Sequence, residues 1–301
     1  MRYVGAVLCV LAAVSLAADE RPMPDIAVFT AQVKAKLATD ESLQNGYVYN
    51  ERTTTEKLDS SGRTIHTSAK LMEVYPGLPG DAPYRRVIEE DGHPVSAEKL
   101  AAEDRKRTRA VEAYANMLAS TDGRRKDAER RNRERREEAN AIDDIFRVYA
   151  IELVGRETLD RQQTIVATLT PKLNTMPQTD DGKMMRHFHG RAWISEMDYE
   201  LVRVEIEALD DLTIGWGLFA RVHKGAYATY QRRKINNEIW LPAEVTWTGS
   251  ARVLLLKQLR ERGTSNFFGY RKFSVETSTD FTAAAKGIAS PAPEDTASGD
   301  R

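Results

Sequence analysis

Apolar positions along this chain change their spacing in a way that divides it into helical and extended stretches. Ile26, Phe29, Val33 and Leu37 recur at three- and four-residue steps, which predicts a helix with one buried stripe over Asp25 to Leu37. After Asn45-Gly46 the pattern becomes alternating, β-branched and aromatic. Segments Tyr47 to Glu56, Thr64 to Tyr75 and Tyr84 to Glu90 read as strands, separated by Asp59-Ser-Ser-Gly62 and by the breaker-rich loop Pro76-Gly-Leu-Pro-Gly80. Ser96 then caps a helical pattern with Glu98 in its first turn. A joint at Ser120-Thr-Asp-Gly123 splits it from a second helix running from Arg124 to about Ile145. Strands return over Val148 to Thr158, Thr164 to Thr170, Arg186 to Ser195, Leu201 to Leu209, Phe219 to Lys234, Glu238 to Trp247, Arg252 to Arg262 and Phe267 to Val275.

The cleanest alternation lies in Leu201 to Leu209, where Val202, Val204, Ile206 and Ala208 interleave with Arg203, Glu205 and Glu207. That pattern marks a sheet with one dry face and one wet face. Roughly ten strands, each returning on its neighbour, predict an α+β fold: a strongly curved antiparallel sheet, an incomplete β-barrel closed by helices, with a long charged helical insertion. The dry face offers an apolar lining of Ile151, Leu153, Ile165, Ala167, Ile194, Val202, Val204, Ile206, Val222, Val245 and Trp247. Helices either fill it as a core, or part of it stays open for an apolar ligand. Leu212-Thr-Ile-Gly-Trp-Gly-Leu-Phe219, an apolar, glycine-hinged connection, adds Trp216 as a plug or a lid.

The first seventeen residues have the composition of a leader: Arg2, an apolar run from Val4 to Val14, then small residues ending at Ala17. The run is shorter than the ~20 residues that cross a bilayer, so export to the periplasm with cleavage near Ala17 is expected. Cys9 would leave with the leader, and the mature chain would then hold no disulfide, thiolate metal site or cysteine nucleophile. Residues 18–282 are expected as a single partial-barrel domain, with 96–145 as the charged insertion. The small, polar stretch 283–301 is expected as a disordered tail.

Charge is nearly balanced, at a formal net of −1, so no global field draws the chain to a polyanion. Locally, Arg124 to Arg136 is dense in cations. Arg124, Arg125, Lys126, Arg130 and Arg131 are candidates for contact with an envelope protein or an anionic membrane surface. Interleaved Asp127, Glu129 and Glu134 give the plainer reading of a solvated helix with internal ion pairs. Nucleic acid is not expected, because the run lacks interleaved aromatics and the chain is exported. Catalytic patterns are missing: His187 and His189 share a strand face with Arg191, His66, His93 and His223 are scattered, and no Gly-x-Ser-x-Gly or phosphate-cradling glycine loop occurs. No catalytic residue, metal ligand or cofactor is expected.

The stretch Gly190-Arg-Ala-Trp-Ile-Ser-Glu-Met-Asp-Tyr-Glu-Leu-Val-Arg-Val-Glu205 and the later Lys234-Ile-Asn-Asn-Glu-Ile-Trp-Leu-Pro-Ala-Glu-Val245 together resemble the paired signature of the Lol-type periplasmic lipoprotein carriers and receptors. Ser195 and Asn237-Glu238 depart from the Asp and Gly usual in that pattern. Tyr84 to Ser96 also resembles a set of uncharacterised exported bacterial proteins. The resemblance implies an incomplete barrel closed by helices that carries acyl chains of a lipid or lipoprotein. The insertion 96–145 has no counterpart in the short carriers.

Overall fold

The computed structural model describes residues 21–44, 46–78, 81–215, 219–253 and 257–272. The expected leader 1–17, Trp216 and the tail 283–301 lie outside the described residues. Helix α1 (Ile26–Gln44) leads into β1 (Tyr47–Leu58), β2 (Thr64–Tyr75), β3 (Tyr84–Glu90) and β4 (His93–Pro94). Helices α2 (Ala97–Ala119) and α3 (Thr121–Val148) come next, then β5 (Tyr149–Leu159), β6 (Gln162–Pro171), the short α4 (Asp180–Met185), β7 (Phe188–Ser195) and β8 (Leu201–Ala208). The chain continues through β9 (Leu212–Gly215), β10 (Phe219–Val222), β11 (Tyr227–Ile235), β12 (Ile239–Val253) and β13 (Lys257–Lys272).

All strands join one antiparallel sheet in the order β4-β3-β2-β1-β13-β12-β11-β8-β7-β6-β5, with the β9-β10 hairpin attached to β12. The sheet is open, and its two edges are β4 and β5. These are the strands on either side of α2-α3, so the helical hairpin runs from one sheet edge to the other. Arg86 of β3 holds Asp104 of α2 through Nε at 2.7 Å, and Lys172 after β6 donates to the last carbonyls of α3, Phe146 and Arg147.

Four features differ from the expected meander. Leu212–Gly215, expected as part of an apolar connection, is strand β9, paired with β10. The first strand pairs with the last, β1 with β13, so the two ends of the described chain meet in mid-sheet. Phe219 to Lys234 is two strands, because Gly225, at φ 80, turns the chain between them. Conversely, the three strands expected over 238–275 are two long ones. Gly249 and Gly263 do not end strands but allow close approach: a Cβ on Gly263 would collide with the six-membered ring of Trp247. The helical joint is Ser120 alone. Its Oγ accepts from Gly123 N at 2.9 Å, which draws Thr121 to Gly123 into the first turn of α3.

The main core forms where α1 lies on strands β5 to β7. Phe29 and Val33 pack on Ile165, Ala167, Ala192 and Ile194, with Ile151, Leu153, Leu169, Phe146 and Leu201 around them. The Phe29 ring meets Tyr199 edge to face at 5.6 Å. Nearby, the two segments that carry the sequence signature fold onto each other. Asp198, in the turn after β7, accepts from Lys234 Nζ at 2.9 Å and from Trp240 Nε1 at 3.1 Å, across the β11-β12 hairpin. Arg232 Nη2 donates to the Trp240 carbonyl at 2.6 Å and Nη1 lies 3.4 Å from Glu200. The signature is therefore a lock between two hairpins. Asp198→Ala removes a charged acceptor from two donors and is expected to cost about 2 kcal/mol, read as a lower urea midpoint at constant m-value.

A buried carboxylate fixes the approach to α4. Asp144 of α3, fully buried, accepts from the backbone N–H of Gln178 and Thr179 and from Thr179 Oγ1, all at 2.8 to 3.0 Å. Burial alone would raise its pKa, but these hydrogen bonds and Arg147 hold it below the ordinary carboxylate value. The folded value is depressed, so the contribution is complete above the unfolded value of about 3.9 and is lost as pH falls through the folded one. Asp144→Asn is expected to flatten the fall of melting temperature with pH below about 4, measured against wild type from pH 6 to 3.

Candidate functional site

Residues directly opposite one another on paired strands share a face, so the register traces rows across the sheet. One row runs Leu153, Ala167, Ala192, Val204, Tyr230, Val245, Ser265, Thr53, Lys70 and Glu90, from β5 to β3. The neighbouring row runs Ile151, Leu169, Gly190, Ile206, Ala228, Trp247, Gly263, Thr55 and Ser68. Both rows are apolar as far as β12 and turn polar or small at β13. This is the face on which α1 lies.

The rows cross three zones. On β5 to β7, Ile151, Leu153, Ile165, Ala167 and Ile194 sit against α1, and Ile165 and Ala167 are fully buried by it. On β8, β11 and β12, Val204, Ile206, Ala228, Tyr230, Val245 and Trp247 are only half-buried and belong to neither buried cluster of the core. They form a continuous apolar strip three strands wide. Its far wall is the Trp247 ring, seated over Gly263. Gly263→Val needs that ring to move and is expected to cost about 1–3 kcal/mol and alter the tryptophan emission, read by thermal melting and fluorescence.

The third zone, on β13, β1 and β3, is a hydroxyl and charge cluster. Thr53 Oγ1 and Ser265 Oγ lie 2.6 Å apart and each reaches Glu51 Oε1 at 3.2 Å. Glu51 is 7% exposed, and its other oxygen accepts from Arg85 Nε at 2.9 Å. A small pocket of about 70 Å³ lies near this end of the sheet, lined by Tyr47, Tyr49, Tyr75, Tyr270, Leu241 and three prolines. That is about half the size of a cavity of ~150 Å³ that takes up benzene, too small for an acyl chain. Burial, and then Glu73, push the Tyr75 hydroxyl up to about 12.

The remaining sequence candidates are dispersed. Val202 is fully buried and Val222, at the end of β10, is half-buried. The cations of α3 are held within the helical hairpin: Arg124 donates to the carbonyls of Leu118 and Ala119, Arg125 and Lys126 pair with Asp122, and Arg130 and Arg131 pair with Asp127. Asp127 is itself buried and accepts from Tyr114 of α2 at 2.9 Å; that hydrogen bond ties α3 to α2, while the ion pairs lie within α3. His187 and His223 lie beside Asp210 and Asp211, at 2.7 and 3.2 Å. Among the described residues no group of three histidine, cysteine or carboxylate side chains is placed to hold a metal ion, and no helix is long and apolar enough to cross a membrane.

Ala228, Tyr230, Ser265, Thr53 and Arg85 were not singled out in the sequence. Their strands carry little alternation, and only the pairing of β1 with β13 brings Thr53 beside Ser265.

No protein-family model and no curated protein matches the chain. Among solved structures it is similar to a domain described as outer membrane lipoprotein-sorting from Vibrio parahaemolyticus, at 10% identity over 86% of this chain and 97% of that one, with a TM-score of 0.33. It is also similar to a LolA superfamily protein from Nitrosomonas europaea, at 11% identity over 83% and 96% with a TM-score of 0.27. A DUF1329 family protein from Desulfovibrio piger gives 11% identity over 87% and 99%, with a TM-score of 0.30. A likeness of this degree says nothing of what this chain binds.

Proposed function

We propose that this chain is an exported, non-enzymatic binding protein that holds an apolar or acylated molecule, a lipid or a lipoprotein acyl chain, on the inner face of a partial barrel. The observation that carries the reading is the half-buried strip Val204, Ile206, Ala228, Tyr230, Val245 and Trp247, flanked on one side by a core sealed under α1. The same six positions fully packed would be ordinary core. Half-covered, they leave apolar area for a ligand to bury, at about 0.8 kcal/mol for each methylene taken out of water. The hairpin α2-α3, spanning the two sheet edges, supplies the cover on the barrel's open side, its two helices joined by the Tyr114 hydrogen bond to Asp127. A fluorescent fatty acid titrated into the detergent-free protein tests this. Saturable uptake near one per chain supports it, and a signal no greater than that of an unrelated β protein overturns it.

A further inference from the structure

The bound molecule has a chemical direction, because the face that would hold it has one. We infer that the ligand is an amphipath whose acyl chain lies on β8 to β12 and whose head is an anion received by Arg85; the inference rests on the function proposed above.

The rows crossing the sheet give the polarity. Val204, Tyr230 and Val245 pass directly into Ser265 and Thr53, and Ile206, Ala228 and Trp247 pass into Gly263 and Thr55. An apolar tail laid along the rows meets hydroxyl groups after β12, so the tail has to end there. Beyond β12 lies the Glu51 cluster. Thr53 and Ser265 pin one carboxylate oxygen of Glu51, and its other oxygen takes Nε of Arg85. That contact puts the Arg85 guanidinium on the same face as Thr53, Ser265 and the strip. Glu51 is buried, but the Arg85 side chain is 43% exposed. Among the described residues its two Nη groups have no partner.

An arginine fixed through Nε, with neither Nη group paired among the described residues and the side chain part-exposed, is a fork for a two-oxygen anion, and charge-assisted pairs of that geometry are stronger than neutral hydrogen bonds. Glu51 is the positioning residue, held by Thr53 and Ser265 and holding Nε of Arg85. Because Arg85 reaches back to Glu51, its guanidinium lies beside β1, two strands from β12 and about 10 Å at ~4.8 Å per strand, so the head follows close on the end of the tail. A carboxylate of a fatty acid and a phosphate of a lysophospholipid share this chemistry.

Three probes separate the outcomes: a long-chain fatty acid, a lysophosphatidylglycerol of the same chain length, and the matching neutral fatty alcohol, each competed against a fluorescent fatty acid on the detergent-free protein. Wild type is expected to bind at least one anionic probe about tenfold more tightly than the alcohol, and whichever anion leads identifies the head. Arg85→Gln is expected to abolish that preference while leaving the alcohol's affinity within about twofold. Because R85Q strands the Glu51 charge, the double variant Glu51→Gln/Arg85→Gln is measured beside it and is expected to behave alike with wild-type melting. Equal binding of anions and alcohol by wild type, or a preference that survives in both variants, overturns the inference while leaving the carrier reading intact. If no probe displaces the fluorophore and the fluorophore itself does not bind, the carrier reading and this inference fall together.

Discussion

Fatty-acid uptake is expected to fall about tenfold or more in Val204→Asp, with a β-rich circular dichroism spectrum unchanged. Val204 is half-buried at the centre of the strip, opposite Ala192 on one side and Tyr230 on the other. Its side chain is already partly in contact with water, so an aspartate there keeps solvent access and the fold tolerates it. An acyl chain laid over it would desolvate the carboxylate without supplying a partner, a cost of several kcal/mol that exceeds the ~1.4 kcal/mol of a tenfold change. Val166→Asp serves as the contrast, since Val166 is 1% exposed and a charge there is expected to unfold the protein rather than empty a site. Undiminished uptake in V204D would mean that the ligand does not lie on this strip.

Phe29→Ala is expected to be the most destabilising single truncation in α1, by about 3–5 kcal/mol. Phe29 is 2% exposed, centres the cluster that seals β5 to β7, and makes the edge contact with Tyr199. Its removal leaves a void between a helix and a sheet whose Ile165 and Ala167 cannot collapse toward each other, being fixed in a ladder. Phe29→Leu retains most of the volume and is expected to lose less than half as much. Denaturant midpoints at constant m-value give both numbers. A small loss in Phe29→Ala would mean that α1 is not what closes this part of the face.

Much of the element list was legible because alternation and capping are local properties. The β2 and β3 bounds, the Ser96 cap and the Phe29, Val33 and Leu37 positions of the α1 stripe follow from spacing and capping chemistry, whereas Ile26, expected in the same stripe, is exposed at the start of the helix. Sheet order was not legible, since nothing near Tyr47 signals that its partner strand ends at Lys272. That single non-local pairing creates the polar end of the inner face. The gaps left between expected strands at 248–251 and 263–266 are continuous strand, and in the second Gly263 is the floor beneath the Trp247 ring.

Of the apolar residues on the dry face, parity was readable and coverage was not. Ile165 and Val204 lie on the same face, yet one is under α1 and the other is half-open, a distinction set by where a helix of nineteen residues comes to rest. The cations of α3 show the same limit. Their density is plain in the sequence, but their pairing around Asp127 depends on Tyr114 of the preceding helix.

The most direct test is native mass spectrometry, with lipid extraction, of the protein isolated from an envelope fraction without detergent. The account predicts acyl species co-purifying at close to one per chain and released on denaturation. A clean apo mass, together with no uptake of added fluorescent fatty acid, would contradict it and mean that the strip on β8, β11 and β12 is covered by the protein itself.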